Sequence, residues 1–184
     1  MKKKLLCLGL LLMMVFALAA CGADYVPPNF GEKGYAEFLY RGLDIGTDDA
    51  PKEAFIDSVQ ALKKFRNAAK FEEGVFWESD YTGSRETVYT QFTEKLDSYS
   101  SAYFKKNILI AILHTASSGS FSYTVKSVEA QEGTLNVTLQ EWRPEVGTCD
   151  IKLWCILIEC PKGNYSDLNV TMEIGGQFTN LIVG

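Results

Sequence analysis

The run "IKLWCILIEC", residues 151–160, decides the fold because both of its alternating sets of positions are largely apolar. Only Lys152 and Glu159 carry charge within it. Side chains along a strand point alternately to opposite faces, so a strand of this composition must be covered on both sides. The run "ILIAIL", residues 108–113, has the same character. These runs predict two strands buried on both faces, with residues 108–113 at the centre of a sheet.

Further strands are predicted on either side of these two runs, where hydrophobic residues alternate with polar ones. The segments "FSYTVKSVEA", residues 121–130, and "TLNVTLQEW", residues 134–142, flank a Glu132-Gly133 turn and predict a hairpin. The segment "LNVTMEI", residues 168–174, alternates in the same way. We therefore expect a mainly antiparallel sheet in the C-terminal half.

Two helices are predicted ahead of this sheet. Ser58 is a suitable N-cap for a helix through about Lys70, and apolar residues recur at steps of three and four between Thr90 and Lys105. Residues 35–57 predict one or two short strands. A length of 184 residues suits one domain. The prediction is a single α+β domain over residues 35–184, with about two helices flanking or covering the sheet.

The N-terminus "MKKKLLCLGLLLMMVFALAACGAD" has the pattern of a secretion signal over residues 1–20. Its uncharged run, residues 5–20, is shorter than the 18 or more residues that usually span a bilayer. The "LAAC" at its end resembles the lipobox of bacterial lipoproteins, which implies cleavage before Cys21 and lipid on its thiol and amino group. Residues 21–34 then form a tether. The expected location is the extracytoplasmic face of the cell membrane, through lipid at Cys21.

The charge of the chain limits its partners. The formal net charge is -5, and removal of three lysines with residues 1–20 makes it -5 - 3 = -8. An acidic surface with no basic run argues against nucleic acid or anionic headgroups as partners. The lipid at Cys21 is therefore expected to hold the protein at the membrane.

The sequence gives little support to an enzyme. His114 is the only histidine, and a hydrolase would use it as the base with Ser117 or Ser118 as the nucleophile. These serines lack the Gly-x-Ser-x-Gly elbow, and no acidic partner stands nearby in sequence. The cysteines at 149, 155 and 160 lack the spacing of a zinc site. We therefore expect no catalytic residue, metal or cofactor.

Three segments carry a family resemblance: "YFKKNILIAIL", "SSGSFSYTVKSV" and "RPEVGTCDIKLWCILIE". Together they resemble a family of largely uncharacterised lipoproteins of Gram-positive, Firmicute-type bacteria, and more distantly the C-terminal domain of PrcB-type protease-complex subunits. The resemblance implies a non-catalytic partner that supports an extracytoplasmic complex. Where the family commonly has histidines, this chain has Ser122-Tyr123 and Cys155.

Two loops between predicted strands are the candidate binding sites. Whether the second is a binding loop or only a connection stays open at this point. An alternative function is small-molecule or glycan binding in an aromatic cleft near Phe76 and Trp77. The residues of the two loops are Ser117, Ser118, Gly119, Ser120 and Phe121, and Pro144, Glu145, Val146, Gly147, Thr148 and Asp150.

Three cysteines between residues 149 and 160 are predicted to be free thiols. Cys155 and Cys160 on one extended strand would lie roughly 16 Å apart, whereas bridged cysteines need Cα atoms within about 7 Å. Their odd separation also directs them to opposite faces. We expect Cys155 to pack as a small apolar residue, with Cys149 and Cys160 at the strand ends.

Overall fold

The computed structural model describes residues 30–45, 50–72 and 85–178 as an α+β fold in three layers. The predicted fold class is confirmed: strands dominate the C-terminal half, and helices cover one face of a sheet. The helices are α1 (Val59–Ala69), α2 (Arg85–Asp97) and α3 (Ser101–Lys106). The strands are β1 (Ala36–Arg41), β2 (Asp44–Ile45), β3 (Glu53–Ile56), β4 (Phe71–Glu72), β5 (Asn107–Ala116), β6 (Ser122–Gln131), β7 (Thr134–Pro144), β8 (Lys152–Pro161) and β9 (Asp167–Phe178).

The middle layer is a four-stranded antiparallel sheet in the order β1-β8-β5-β3. The two runs that are apolar on both faces, β5 and β8, are its central strands, as their composition predicts. Leu109, Ala111 and Leu157 belong to the core beneath the helices. Ile110 and Ile156 belong to a second core on the opposite face. Each central strand therefore contributes to two cores at once.

The outer layer is a three-stranded sheet in the order β6-β7-β9. The predicted hairpin is confirmed, since β6 and β7 pair from Gln131 with Thr134 to Ser122 with Trp142. Strand β9 pairs with β7 in the parallel sense, so the outer sheet is not wholly antiparallel. A separate two-stranded ladder joins β2 and β4.

The first predicted helix is confirmed, because Ser58 caps α1 by accepting a hydrogen bond from the Ala61 N–H at 3.1 Å. The prediction of one helix between Thr90 and Lys105 is wrong. The helical spacing is real, but the chain breaks between Asp97 and Ser101. Ser98 bonds back to the Lys95 carbonyl, and Ser100 caps a new helix at Tyr103. Serine side chains that compete for backbone groups explain the break.

Strand register places the chain's entry and the two candidate loops at opposite ends of the middle sheet. At the N-terminal end, Ala36 pairs with Glu159, and Asn107 pairs with Pro161. At the other end, which we call the loop end, Ala116 pairs with Lys152. The candidate loops leave from this second pair of positions. The two ends of β5, Asn107 and Ala116, lie roughly 30 Å apart at about 3.3 Å per residue.

Candidate functional site

The two predicted binding loops lie against each other at the loop end. Residues 117–121 connect β5 to β6, and residues 145–151 connect β7 to β8. Ser118 is 5 % exposed and its hydroxyl donates to the Thr148 carbonyl at 2.7 Å. Ser120 Oγ accepts a hydrogen bond from the Thr148 N–H at 3.0 Å. These bonds join two segments that are about thirty residues apart in sequence.

A carboxylate adds a third link between the loops. Asp150 Oδ1 accepts a hydrogen bond from the Gly119 N–H at 3.0 Å, and Lys152 Nζ lies 3.5 Å from Asp150 Oδ2. Hydrogen bonding from Thr148 is the main cause of a pKa for Asp150 below its ordinary value. The Gly119 N–H and the charge of Lys152 act in the same direction, and burial opposes them. Asp150 therefore braces the loops as a carboxylate.

Glycines stand at two positions where the loops touch. A Cβ on Gly119 would overlap the Asp150 carboxylate. A Cβ on Gly147 would lie 3.0 Å from Ser118 Oγ, which is tighter than ordinary contact. The residues that sequence analysis placed in two separate loops therefore form one interlocked element. We call this element, residues 117–121 and 144–150, the braced loops.

The braced loops and the residue that follows them present apolar side chains to solvent. Val146 is 81 % exposed and Ile151 is 72 % exposed. Phe121 is half-buried, and the Arg143 guanidinium lies over its ring at 5.2 Å from the centroid. Glu145 is exposed beside Val146. Val146 and Ile151 are the two large aliphatic side chains that the braced loops and the following residue expose to solvent.

Behind the braced loops, a chain of polar side chains lies between the two sheets. His114 Nε2 is 3.0 Å from Tyr123 Oη, and the Tyr123 hydroxyl donates to Glu141 Oε2 at 2.8 Å. Arg143 Nε donates to the other oxygen of Glu141 at 2.5 Å. Because the Tyr123 hydroxyl donates its one proton to Glu141, it can only accept from His114, so His114 Nε2 is the donor in that hydrogen bond. Trp154 packs edge-on against Tyr123, 5.2 Å between ring centroids.

Burial sets the electrostatics of this chain. Desolvation lowers the pKa of His114, and the charge of Glu141 offsets part of that shift. Desolvation and the neighbouring Glu141 raise the pKa of Tyr123. His114 is therefore held as a neutral hydrogen-bond donor near neutral pH.

The pairing of His114 with a serine, which a hydrolase would need, is not present. His114 contacts Tyr123, while the Ser118 hydroxyl is engaged by Thr148. Among the described residues, no group of three or more His, Cys, Asp or Glu side chains is arranged to hold a metal ion. The same part of the chain has no helix long and apolar enough to cross a bilayer.

Sequence reasoning missed the part of Glu141 in this chain. The signal was available, because Glu141 continues the inward-facing series of Leu135, Val137 and Leu139 along β7. A carboxylate at an inward position of an alternating strand has to find partners there. Its partner Arg143 stands two residues further along the chain.

The three cysteines of the described residues are free, as their spacing predicts: Cys149 is exposed, and Cys155 and Cys160 are buried. Cys155 belongs to the core beneath the helices and Cys160 to the core between the sheets. Burial raises the pKa of the Cys160 thiol to about 12 and raises that of Cys155 further. Neither buried thiol has the lowered pKa of a reactive cysteine.

A groove of about 460 Å³ lies between α1 and the end of α2. Leu62, Leu96 and Tyr99 form its buried floor, and Lys63 and Arg66 are among the residues at its rim. The aromatic cleft predicted near Phe76 and Trp77, like the lipidation site at Cys21, lies outside the described residues.

Comparisons with protein-family models, with curated proteins and with solved structures find no match to this chain. The resemblance to Gram-positive lipoproteins and to PrcB-type domains therefore stays a prediction.

Proposed function

We propose that this chain is a lipid-anchored lipoprotein on the extracytoplasmic face of the cell membrane, and that its braced loops bind another protein of the cell envelope without catalysis. One observation carries the proposal: Val146 in the braced loops and Ile151 directly after them are both exposed. The loops that carry them are held together by hydrogen bonds of Ser118, Thr148 and Asp150. A surface that is already ordered loses little conformational entropy on binding.

The position of the braced loops supports this function. The chain enters the middle sheet at Ala36, next to Glu159, whereas the loops extend from the opposite end near Ala116 and Lys152. Residues 21–34 would join the lipid at Cys21 to this entry end, whereas Val146 and Ile151 stand at the loop end of the same sheet.

The lipid anchor is tested by metabolic labelling with radioactive palmitate. We expect the protein expressed from the full sequence to carry the label and to be found in the membrane fraction. Cys21→Ala should abolish the labelling and the membrane association. Unchanged labelling of Cys21→Ala would contradict the anchor.

Partner binding is tested by placing a photoreactive amino acid at Val146 in intact cells and identifying adducts by mass spectrometry. Val59 is the matched control, because it is also an exposed aliphatic residue, 42 % exposed, but stands at the start of α1. We expect a protein adduct at Val146 that is absent at Val59 and reduced in Cys21→Ala. The same adducts from both positions would contradict the proposal.

The brace itself is tested with Gly119→Ala. Because a Cβ at Gly119 would overlap the Asp150 carboxylate, this substitution should separate the loops and weaken the Val146 adduct. Gly133→Asn is a suitable comparison, since Asn tolerates a positive φ and Gly133 (φ 83°) lies in the turn between β6 and β7, away from the brace. An undiminished adduct in Gly119→Ala would show that the brace is dispensable for binding.

A second candidate function is binding of a small molecule or glycan, and the groove between α1 and α2 favours it. Its volume of about 460 Å³ lies in the range of ordinary ligand sites. Thermal-shift screening tests this function with Lys63→Ala, which removes a rim residue, and Lys64→Ala, which removes its neighbour outside the groove lining. A saturating shift lost only in Lys63→Ala would support it.

A further inference from the structure

Strand β9 is an edge strand with an open outer side. It runs for twelve residues beside β7, and no strand pairs with its other side in the described part of the chain. Exposed edges present unpaired N–H and C=O groups to which another strand can add. The outer edge of β9 is therefore a potential site of strand pairing.

The opposite edge of the same sheet is protected. The Tyr35 hydroxyl donates to the Val125 carbonyl at 2.9 Å, and the Glu37 carboxylate accepts from the Val125 N–H at 2.7 Å. A register shift between Val125 and Ser127 interrupts the edge further. Side-chain caps and bulges are ordinary devices against strand addition. Among the residues that the structure describes, no side chain caps the outer side of residues 168–174 in β9.

Only the first part of the inward face of β9 is packed against the core between the two sheets. Leu168 and Val170 are partly buried against the core between the sheets. Further along the same face, Met172 is 39 % exposed and Ile174 is 65 % exposed. Burial of these two side chains would remove apolar surface from water, which favours association.

We propose that two copies of this chain associate by antiparallel pairing of their β9 strands about Thr171, which joins two three-stranded sheets into one of six strands. In this register, Val170 faces Met172 of the second copy, and Leu168 faces Ile174 of the second copy. The apolar row of one β9 therefore covers the exposed end of the other. A two-fold axis repeats each of these contacts.

The polar residues of β9 favour this register. On the outward face, Thr171 meets its own symmetry mate, and Asn169 lies opposite Glu173. Lys126 already pairs with Glu173 at 2.5 Å, which offsets the charge that each copy brings. A register centred on Val170 would instead place Asp167 opposite Glu173, and like charges directly opposite one another destabilise a sheet.

The pairing is tested by disulfide crosslinking of the full-length chain in intact cells. The background is Cys149→Ser, which removes the exposed thiol and leaves the buried pair. Thr171→Cys places a thiol at the two-fold axis, where facing Cα atoms of about 4.5–5.5 Å suit a disulfide. We expect a covalent dimer after mild oxidation, and its loss when Ile174→Lys is added, because an inward-pointing charge opposes edge pairing.

Thr138→Cys is the matched control, since Thr138 stands beside Thr171 on the neighbouring strand. Its mate would be three strand spacings away, roughly 14 Å, which is too far for a disulfide. Equal dimer from both positions would overturn the proposal. So would a Thr171→Cys protein that a maleimide labels in full but that forms no dimer, or one that crosslinks only to a different protein.

The crosslinking test rests on the extracytoplasmic location in the proposed function, because disulfides persist there, but the pairing itself concerns the β9 edge and not the braced loops. If Val146 gave no protein adduct but Thr171→Cys still formed a dimer, only the proposed partner binding would be contradicted. The reverse result would count against self-association alone.

Discussion

At the scale of single residues, Glu141 shows how one carboxylate can organise the space between two sheets. The residue is 4 % exposed, and its carboxylate accepts hydrogen bonds from Tyr123 and Arg143. Removing either donor would leave a buried charge with fewer partners, which is costly. The Glu141 carboxylate therefore sets the direction of the hydrogen bonds around it: Arg143 and Tyr123 donate to Glu141, and His114 donates to Tyr123.

His114 should make the stability of the protein depend on pH. Its pKa is lowered from 6.5 in the folded state by desolvation, so the unfolded chain binds a proton first as pH falls. Stability is therefore lost as pH falls through about 6.5 and levels off below the folded-state pKa. We expect a smaller loss between pH 7 and pH 5 in His114→Gln, measured by urea unfolding. Parallel pH curves for the two proteins would contradict this assignment.

The three thiols should differ in reactivity by position. In the folded mature protein, Ellman's reagent should modify Cys149 rapidly, while Cys155 and Cys160 react only after unfolding. Cys149→Ser should remove the rapid phase and leave two thiols in denaturant. If the unfolded, unreduced wild type showed one thiol instead of three, the free state of these cysteines would be wrong.

The residue-scale predictions succeeded where strand geometry alone decides. Opposite faces for Cys155 and Cys160 follow from their odd spacing, and the structure shows it. The hydrogen-bond partner of His114 could not be predicted from strand geometry. Tyr123 reaches it from another sheet, and the distance between sheets depends on how their side chains pack.

At the scale of elements, a buried ion pair holds α2 to the middle sheet. Lys95 Nζ lies 2.6 Å from the Glu159 carboxylate on β8, and the Tyr99 hydroxyl donates to the same oxygen at 3.0 Å. Glu159 is 3 % exposed. Lys95 also lies over the Phe38 ring on β1, 3.6 Å from the centroid. Burial and the charge of Glu159 raise the pKa of Tyr99, so it stays a hydrogen-bond donor.

Lys95→Met should lower the free energy of unfolding by about 3 kcal/mol, because it leaves the Glu159 carboxylate buried without its cation. Adding Glu159→Gln should restore much of that loss, since glutamine still accepts from Tyr99 but carries no charge. Urea unfolding of the four proteins of the cycle measures both effects. Lys33→Met is the control: the lysine of its pair with Glu37 is 62 % exposed, so we expect a much smaller change in the free energy of unfolding. Equal losses at both lysines would refute the buried-pair account.

The elements were predictable from periodicity, but their ends were less so. The strands β5, β6, β7 and β8 follow their hydrophobic patterns, and Ser58 marks the start of α1. The break between α2 and α3 could not be predicted from periodicity. The apolar spacing continues through it, whereas Ser98 and Ser100 interrupt the helical backbone hydrogen bonds.

At the scale of the whole molecule, strand order and the parallel pairing of β9 lay beyond the sequence. Alternation fixes which residues share a face, but the same pattern serves a strand in either direction. The short connection of residues 162–166 crosses from the middle sheet to the outer sheet, and the Ser166 N–H donates to the Gly133 carbonyl at the hairpin turn. That contact between distant segments sets the start of β9.

The shared central strands should make the whole molecule unfold as one unit. Leu109 faces the helices and Ile110 faces the outer sheet, and both side chains are fully buried. Leu109→Ala and Ile110→Ala should each lower the free energy of unfolding by about 2–5 kcal/mol. Because the backbone of β5 belongs to both cores, each substitution should move the far-UV circular dichroism and tryptophan fluorescence transitions together. If Leu109→Ala moved the dichroism midpoint alone, the helix layer would unfold separately and residues 35–184 would not be one cooperative domain.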